Sequence, residues 1–241
     1  MTSGNGGRSA SSEPAGVVFD LDGTLIDSIP DVVGALNRLL AEESRRALTL
    51  DEGRHMVGEG ARPMVERAFA ATGPSIPEEG LAALTERYLA IYRRYPVVET
   101  TIYPDVRDVL EAFRAAGIVM GVCTNKPHEM SVLVLDRLGL SGFFAAIIGG
   151  DVLAMKKPHA GHVVAVLDAM GISARDAVYV GDSQTDVDAA RNVPMAVIAV
   201  GYGYSRIAPE ALGADVLIAD FGALPQAIAN LAISAKIAGE G

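Results

Sequence analysis

Val17-Val18-Phe19-Asp20-Leu21-Asp22-Gly23-Thr24 is the stretch that decides the fold. The run Val17–Phe19 has the unbroken hydrophobicity of a parallel strand buried on both faces. Gly23 and Thr24 mark its exit turn. Residues i and i+2 of an extended segment point the same way, so Asp20 and Asp22 converge where the strand opens. In an open α/β sheet that end is where ligands bind. Two close carboxylates repel, and a hard cation relieves the repulsion. The pair suits a carboxylate nucleophile with an acid/base partner beside it. Asp-x-Asp-Gly also opens an EF-hand calcium loop, but that loop needs a Glu at its twelfth position. Counted from Asp20, the twelfth residue is Asp31, and no helical pattern precedes the loop.

Working outward, two textures alternate. From about Pro30 to Tyr95 the pattern is helical, with segments at Asp31–Glu43, Leu50–Val57, Arg62–Ala71 and Glu78–Tyr95 and no strand candidate. Beyond it, short apolar runs at Ile118–Cys123, Ala145–Ile148, Ala177–Val180, Met195–Val200 and Val216–Ile218 alternate with helical segments. Strand, helix, strand in succession means a doubly wound parallel sheet. The first strand belongs to this second texture, so the helical block is an insertion. The expected organisation is an α/β core at residues 15–28 and 99–241, with an all-helical cap at 29–98 able to close over the sheet's ligand edge. Residues 1–14, Ser/Gly-rich and without an apolar core, read as a disordered tail.

Half of the 241 residues are hydrophobic, enough for a sizeable core. The net charge of −10 argues against nonspecific binding to nucleic acid or anionic lipid. It leaves room for an anionic substrate, because a bound cation inverts the local field. No run of about 18 apolar residues is present to span a membrane. A single cysteine, Cys123, lies inside a strand pattern and fits a reducing, cytoplasmic setting. Monomer and homodimer both remain open.

Three further clusters sit just past strand ends. Thr124 and Asn125 follow the second strand, where a hydroxyl and an amide can hold phosphoryl oxygens or simply cap a helix. Lys156-Lys157-Pro158 follows the third, and a lysine there can neutralise charge on a nucleophile and on a transferring phosphoryl group. Lys157 is favoured over Lys156, although spacing alone does not decide. Gly181-Asp182-Ser183-Gln184-Thr185-Asp186 follows the fourth, with Asp182 placed to bind a cation and Asp186 to bind or orient it. Four clusters of suitable chemistry thus fall on one sheet edge. The four histidines form no metal-ligand pattern, and His159 and His162 read as surface or loop residues.

Asp20-Leu21-Asp22-Gly23-Thr24-Leu25, Thr124-Asn125, Lys157-Pro158 and Gly181-Asp182-Ser183-Gln184-Thr185-Asp186 resemble the four motifs of the haloacid dehalogenase-like superfamily. The resemblance runs from about Ala15 to the C-terminus, and the helical block looks like that superfamily's first type of cap. Asp27-Ser28-Ile29-Pro30-Asp31, Val57-Gly58-Glu59-Gly60-Ala61, Thr124-Asn125-Lys126-Pro127 and Lys156-Lys157-Pro158-His159 most resemble its phosphoglycolate phosphatase branch. That resemblance implies a Mg²⁺-dependent phosphatase acting on a small phosphomonoester. It implies that Asp20 attacks phosphorus to give an aspartyl-phosphate. Asp22 would protonate the leaving alkoxide and then deprotonate water. Mg²⁺ would be held by the Asp20 carboxylate, the Asp22 carbonyl and Asp182, with Asp186 in support, while Thr124, Asn125 and Lys157 grip phosphoryl oxygens.

Ala160 departs from the branch, which usually has proline there to pre-set the helix start. Tyr202-Gly203-Tyr204 fits the branch, but no role is assigned to it. Dehalogenase and phosphonatase relatives lack an aspartate at the Asp22 position. Sugar phosphomutase relatives place a histidine where this chain has Val32, which weakens that alternative. A non-catalytic phospho-metabolite-binding protein is the remaining rival, and no motif residue is missing to favour it. In the cap, the loop carrying Gly60 and Arg62 has two readings: it reaches the substrate, with Arg62 pairing a carboxylate bidentately, or it is a tight loop with Arg62 solvated in the first turn of a helix.

Overall fold

A computed structural model describes residues 14–239. The tail expected over residues 1–14 lies, but for Pro14, outside the described residues. The core is a six-stranded parallel sheet built from β1 (Gly16–Phe19), β4 (Val119–Cys123), β5 (Ala146–Ile148), β6 (Ala177–Gly181), β7 (Ala196–Val200) and β8 (Val216–Ile218). The order is β5-β4-β1-β6-β7-β8. From β1 the chain winds outward through β4 and β5, then returns to β1's other side and winds through β6, β7 and β8. The switch in direction therefore falls at β1, between Thr124 beyond β4 and Asp182 beyond β6. The register pairs Phe19 with Val122 on one side and Val180 on the other.

Helices cover both faces of the sheet. One layer buries Phe19, Val106, Leu110, Phe113, Val134, Phe221 and Leu224 together. The other buries Val18, Cys123, Val163, Val166, Tyr179 and Val197. These helices are α5 (Val106–Ala115), α6 (His128–Arg137), α7 (Ala160–Met170), α8 (Gln184–Arg191) and α9 (Leu224–Gly239). α7 begins at Ala160 without the usual proline, because the His159 imidazole accepts a hydrogen bond from Gly161 N–H at 3.0 Å and caps the helix in its place.

The insertion is a helical cap of α1 (Ile29–Glu42), α2 (Leu50–Arg54), α3 (Ala61–Thr72) and α4 (Glu78–Arg94). Pro30 sits in the first turn of α1, where its missing N–H costs nothing. Thr49 and Glu52 form a reciprocal capping box on α2. Val32, Leu36, Leu39, Val65, Phe69, Leu81, Tyr88 and Tyr92 pack into a core of the cap's own. Full burial of each such aliphatic or aromatic side chain contributes about 1.5–3 kcal/mol.

Sequence periodicity missed one feature. β2 (Ile26–Asp27) and β3 (Thr101–Ile102) pair antiparallel and bind the two cap linkers into a ribbon. Asp31, at the start of α1, reinforces this junction. Its carboxylate accepts hydrogen bonds from the N–H groups of Val98, Glu99 and Thr100 and from the Thr100 hydroxyl. Burial pushes Asp31 up, but those donors together hold it below the ordinary carboxylate value.

Candidate active site

The strand order sets the geometry of the site. Asp20 emerges from the central strand, fixed by its N–H donating to Val180 O at 2.9 Å. Lys157 Nζ lies 2.8 Å from Asp20 Oδ1 and 2.6 Å from Asp186 Oδ1, with its side chain only 2% exposed. Burial works against the Lys157 charge, but Asp186 and Asp20 hold its pKa above the ordinary lysine value. Lys156 goes elsewhere and donates to Glu59 O of the cap. The structure thus places Lys157, not Lys156, between the carboxylates.

Asp20, Asp182 and Asp186 are all buried, and each offers an oxygen within 4.8 Å of the others. Burial pushes Asp20 up to about 7, with Lys157 lowering it and Asp186 raising it. Burial likewise pushes Asp182 well above the ordinary range, and repulsion from Asp186 and Asp20 adds to the effect. Three carboxylates facing one ammonium make a site that suits a hard divalent cation. Asp182 is held by Tyr204 N–H at 2.5 Å. Gly203 presses so close that a Cβ there would come within 2.2 Å of Asp182 Cβ.

Asp186 has little left to offer an ion directly. Its Oδ1 accepts from Lys157 Nζ and from Tyr179 Oη at 3.2 Å, and its Oδ2 accepts from Ser183 N–H and Oγ. Four donors occupy the two oxygens, so Asp186 braces Lys157 from behind.

Asp22 turns toward the cap. Its Oδ1 accepts from Ser28 Oγ at 2.6 Å, and Lys126 Nζ lies 2.9 and 3.1 Å from its two oxygens. Lys126 also donates to Tyr92 Oη at 3.0 Å. The Asp22 side chain stands outside the three-carboxylate cluster. Lys126, Tyr92 and Ser28 are the neighbours that sequence reasoning missed. Lys126 lay in the quoted Thr124–Pro127 segment, but nothing in spacing shows that its ammonium turns to Asp22.

Thr124 is buried and lines the cavity between core and cap, where its Oγ1 accepts from Lys126 N–H at 3.2 Å. Asn125 also lines it, but its side-chain NH₂ is committed to Gly58 O at 3.0 Å and Lys157 O at 3.1 Å. Any hold Asn125 has on a phosphoryl oxygen therefore falls to its backbone N–H. Gly60 (φ +94°) lines the cavity too, and a Cβ there would come within 3.1 Å of Asn125 O. Glycine lets the cap loop approach the core this closely.

Two expectations need correction. Arg62 is not brought to the site, because its guanidinium pairs with Glu78 and its side chain stays 46% exposed. His162 is not a surface residue. It is fully buried, and its Nδ1 accepts from Lys157 N–H at 3.1 Å. Burial and the Lys157 charge lower its pKa to about 4, which keeps the imidazole neutral and able to accept.

The cavity lies between core and cap. Asp20, Asp22, Thr124 and Asp182 line its core side, and Val32, Val57, Met64, Tyr88 and Leu89 its cap side. The carboxylates of Asp20, Asp22 and Asp182 thus open onto one chamber, an arrangement suited to transfer of an anionic group from a small molecule.

Comparisons with known proteins agree with this arrangement. A family model for haloacid dehalogenase-like hydrolases matches residues 17–200. A phosphoglycolate phosphatase of Caulobacter vibrioides is 42% identical over 91% of this chain and 93% of its own length. Another, from Agrobacterium fabrum, is 40% identical over 90% and 93%. A solved structure from Haemophilus somnus 129pt, described as a predicted phosphoglycolate phosphatase, superposes with a TM-score of 0.85 at 26% identity, covering 91% of this chain and 99% of that one. With four motif clusters on one sheet edge beneath a helical cap, the chain belongs to the haloacid dehalogenase-like hydrolases.

Proposed function

We propose that this chain, a phosphoric monoester hydrolase, is a Mg²⁺-dependent phosphatase of small phosphate esters such as phosphoglycolate, working through an aspartyl-phosphate on Asp20. The buried Asp20–Lys157–Asp186 arrangement, with Asp182 beside it, carries this reading. Asp20, Asp182 and the Asp22 carbonyl would hold Mg²⁺, with Asp186 behind them. When bound, the ion supplies positive charge that draws Asp20 into its ionised form and offsets charge on the phosphoryl oxygens.

An Asp20 carboxylate oxygen attacks phosphorus and the phosphorus–oxygen bond to the leaving group breaks. Asp22 gives its proton to the departing alkoxide. A water then attacks the phosphorus, Asp22 takes the water's proton, and the bond to Asp20 breaks to release inorganic phosphate. Lys157 and Thr124 position the phosphoryl group, in keeping with a largely dissociative transfer. Val32 on the cavity wall offers no proton-transfer group, which argues against a mutase.

Lys126 takes over the role expected of Arg62. When Asp22 carries the proton it no longer balances the Lys126 charge, and a substrate carboxylate can. A leaving group bearing a carboxylate would thereby favour the protonated Asp22 that it needs. Among the described residues no helix is long and apolar enough to cross a membrane, and we read the enzyme as cytoplasmic.

The test is phosphate release from phosphoglycolate and from p-nitrophenyl phosphate, with and without Mg²⁺. Both should be hydrolysed, and chelation should abolish both activities. Undiminished hydrolysis in excess EDTA would refute the cation's role.

A further inference from the structure

The loop Tyr202-Gly203-Tyr204, which leaves β7, touches both cap linkers and the cation site at once. Tyr202 Oη donates to Thr24 O at 2.8 Å, and its ring lies 4.4 Å, centroid to centroid, from Tyr103 just after β3. Gly203 packs on Asp182, and Tyr204 N–H donates to the Asp182 carboxylate. Tyr204 Oη accepts from Ser28 N–H at 2.8 Å and donates to Asp27 Oδ1 at 2.7 Å. Ser28 in turn donates its hydroxyl to Asp22. Three hydrogen bonds, joined through the covalent frames of Tyr204 and Ser28, therefore link Asp182 to Asp22, and the link passes through the linker on which the cap hangs. Tyr204 is only 5% exposed. The Arg54 guanidinium, from the cap, lies 5.3 Å from its ring centroid.

We propose that Tyr204 is a positioning residue: its phenol fixes the first linker so that the Ser28 hydroxyl holds Asp22 in the orientation for proton transfer. The inference rests on the reading of Asp22 as acid and base. A misplaced acid harms esters with poor leaving groups most, because p-nitrophenolate departs without a proton. The readout is the ratio of kcat/KM for phosphoglycolate to kcat/KM for p-nitrophenyl phosphate.

Asp22→Asn should collapse this ratio by about 10² or more, the scale of a general acid's contribution. Tyr204→Phe, which keeps the ring and the backbone N–H, should lower it roughly five- to tenfold, a part of that contribution. Ser28→Ala should do the same, and the double variant should fall no further than Ser28→Ala alone. Ser28→Ala decides the matter if Tyr204→Phe does not fold. Equal losses on both substrates, no loss, or additive losses in the double variant would overturn the inference. If Asp22→Asn collapses the ratio and neither other variant moves it, only the role of Tyr204 fails. If Asp22→Asn leaves the ratio intact, the acid–base assignment fails and this inference with it.

Discussion

Lys157 in the core and Arg87 in the cap each bridge two carboxylates at nearly the same distances. Lys157 Nζ lies 2.8 and 2.6 Å from Asp20 and Asp186, and Arg87 lies 2.7 and 2.6 Å from Glu42 and Glu43. Exposure separates them, at 2% for the lysine side chain and 45% for the arginine. An exposed pair is screened by water and is worth about 0–1 kcal/mol. Breaking a buried pair leaves an uncompensated charge and costs roughly 3–5 kcal/mol. The cap's Arg–Glu pairs therefore decorate a fold that its apolar core already holds. The core's pairs concentrate buried charge at the proposed active site.

The sharpest way to break this comparison is Lys157→Met. It should lower turnover by about 10²–10³, the scale of losing one preorganised electrostatic contact. It should also destabilise the metal-free protein, since three carboxylates then face no ammonium. Turnover within about twofold of wild type, well short of that scale, would remove Lys157 from the site.

Next comes the pH dependence of stability. Burial pushes Asp20 up to about 7, despite Lys157. In the unfolded chain an Asp titrates near ~3.9. Ionised Asp20 thus opposes folding above about pH 7, and the penalty fades as pH falls toward about 4. Asp20→Asn leaves Lys157 still paired with Asp186 and so strands no charge. In EDTA it should melt roughly 5 °C above wild type at pH 8, with the gap narrowing by about pH 5. A gap that widens on acidification would contradict the buried-charge account.

The smallest effects separate the two candidate carboxylate partners. Lys126→Ala should raise KM for phosphoglycolate about tenfold, as loss of a charged hydrogen bond does. Arg62→Ala, on an exposed pair, should change it by less than about twofold. The reverse order would return specificity to Arg62.

Sequence reached the core's site more readily than the cap's. A buried strand fixes where its final residues emerge, so Asp20, Thr124 and Asp182 could be placed from the ends of three apolar runs, whereas Lys157, well beyond β5, could not be told from Lys156 by spacing. A helix face fixes no such point. Arg62 occupies the first turn of α3, yet its partner Glu78 lies on α4, and no local pattern links the two. The β2–β3 ribbon was invisible because two residues per strand carry no periodicity. His162 reads as a surface or loop residue and Lys126 only as part of the Thr124–Pro127 segment, and only tertiary packing shows one beneath the Lys157 loop and the other against Asp22.

The central claim is that the phosphoryl group passes through Asp20. Borohydride reduces an acyl phosphate to the alcohol, so quenching the enzyme with it during turnover of phosphoglycolate should convert Asp20 to homoserine, readable by peptide mass spectrometry. Reduction at Asp20 alone, absent when substrate is omitted, is the predicted result. Normal turnover with Asp20 unmodified, or with the reduced residue elsewhere, would contradict it.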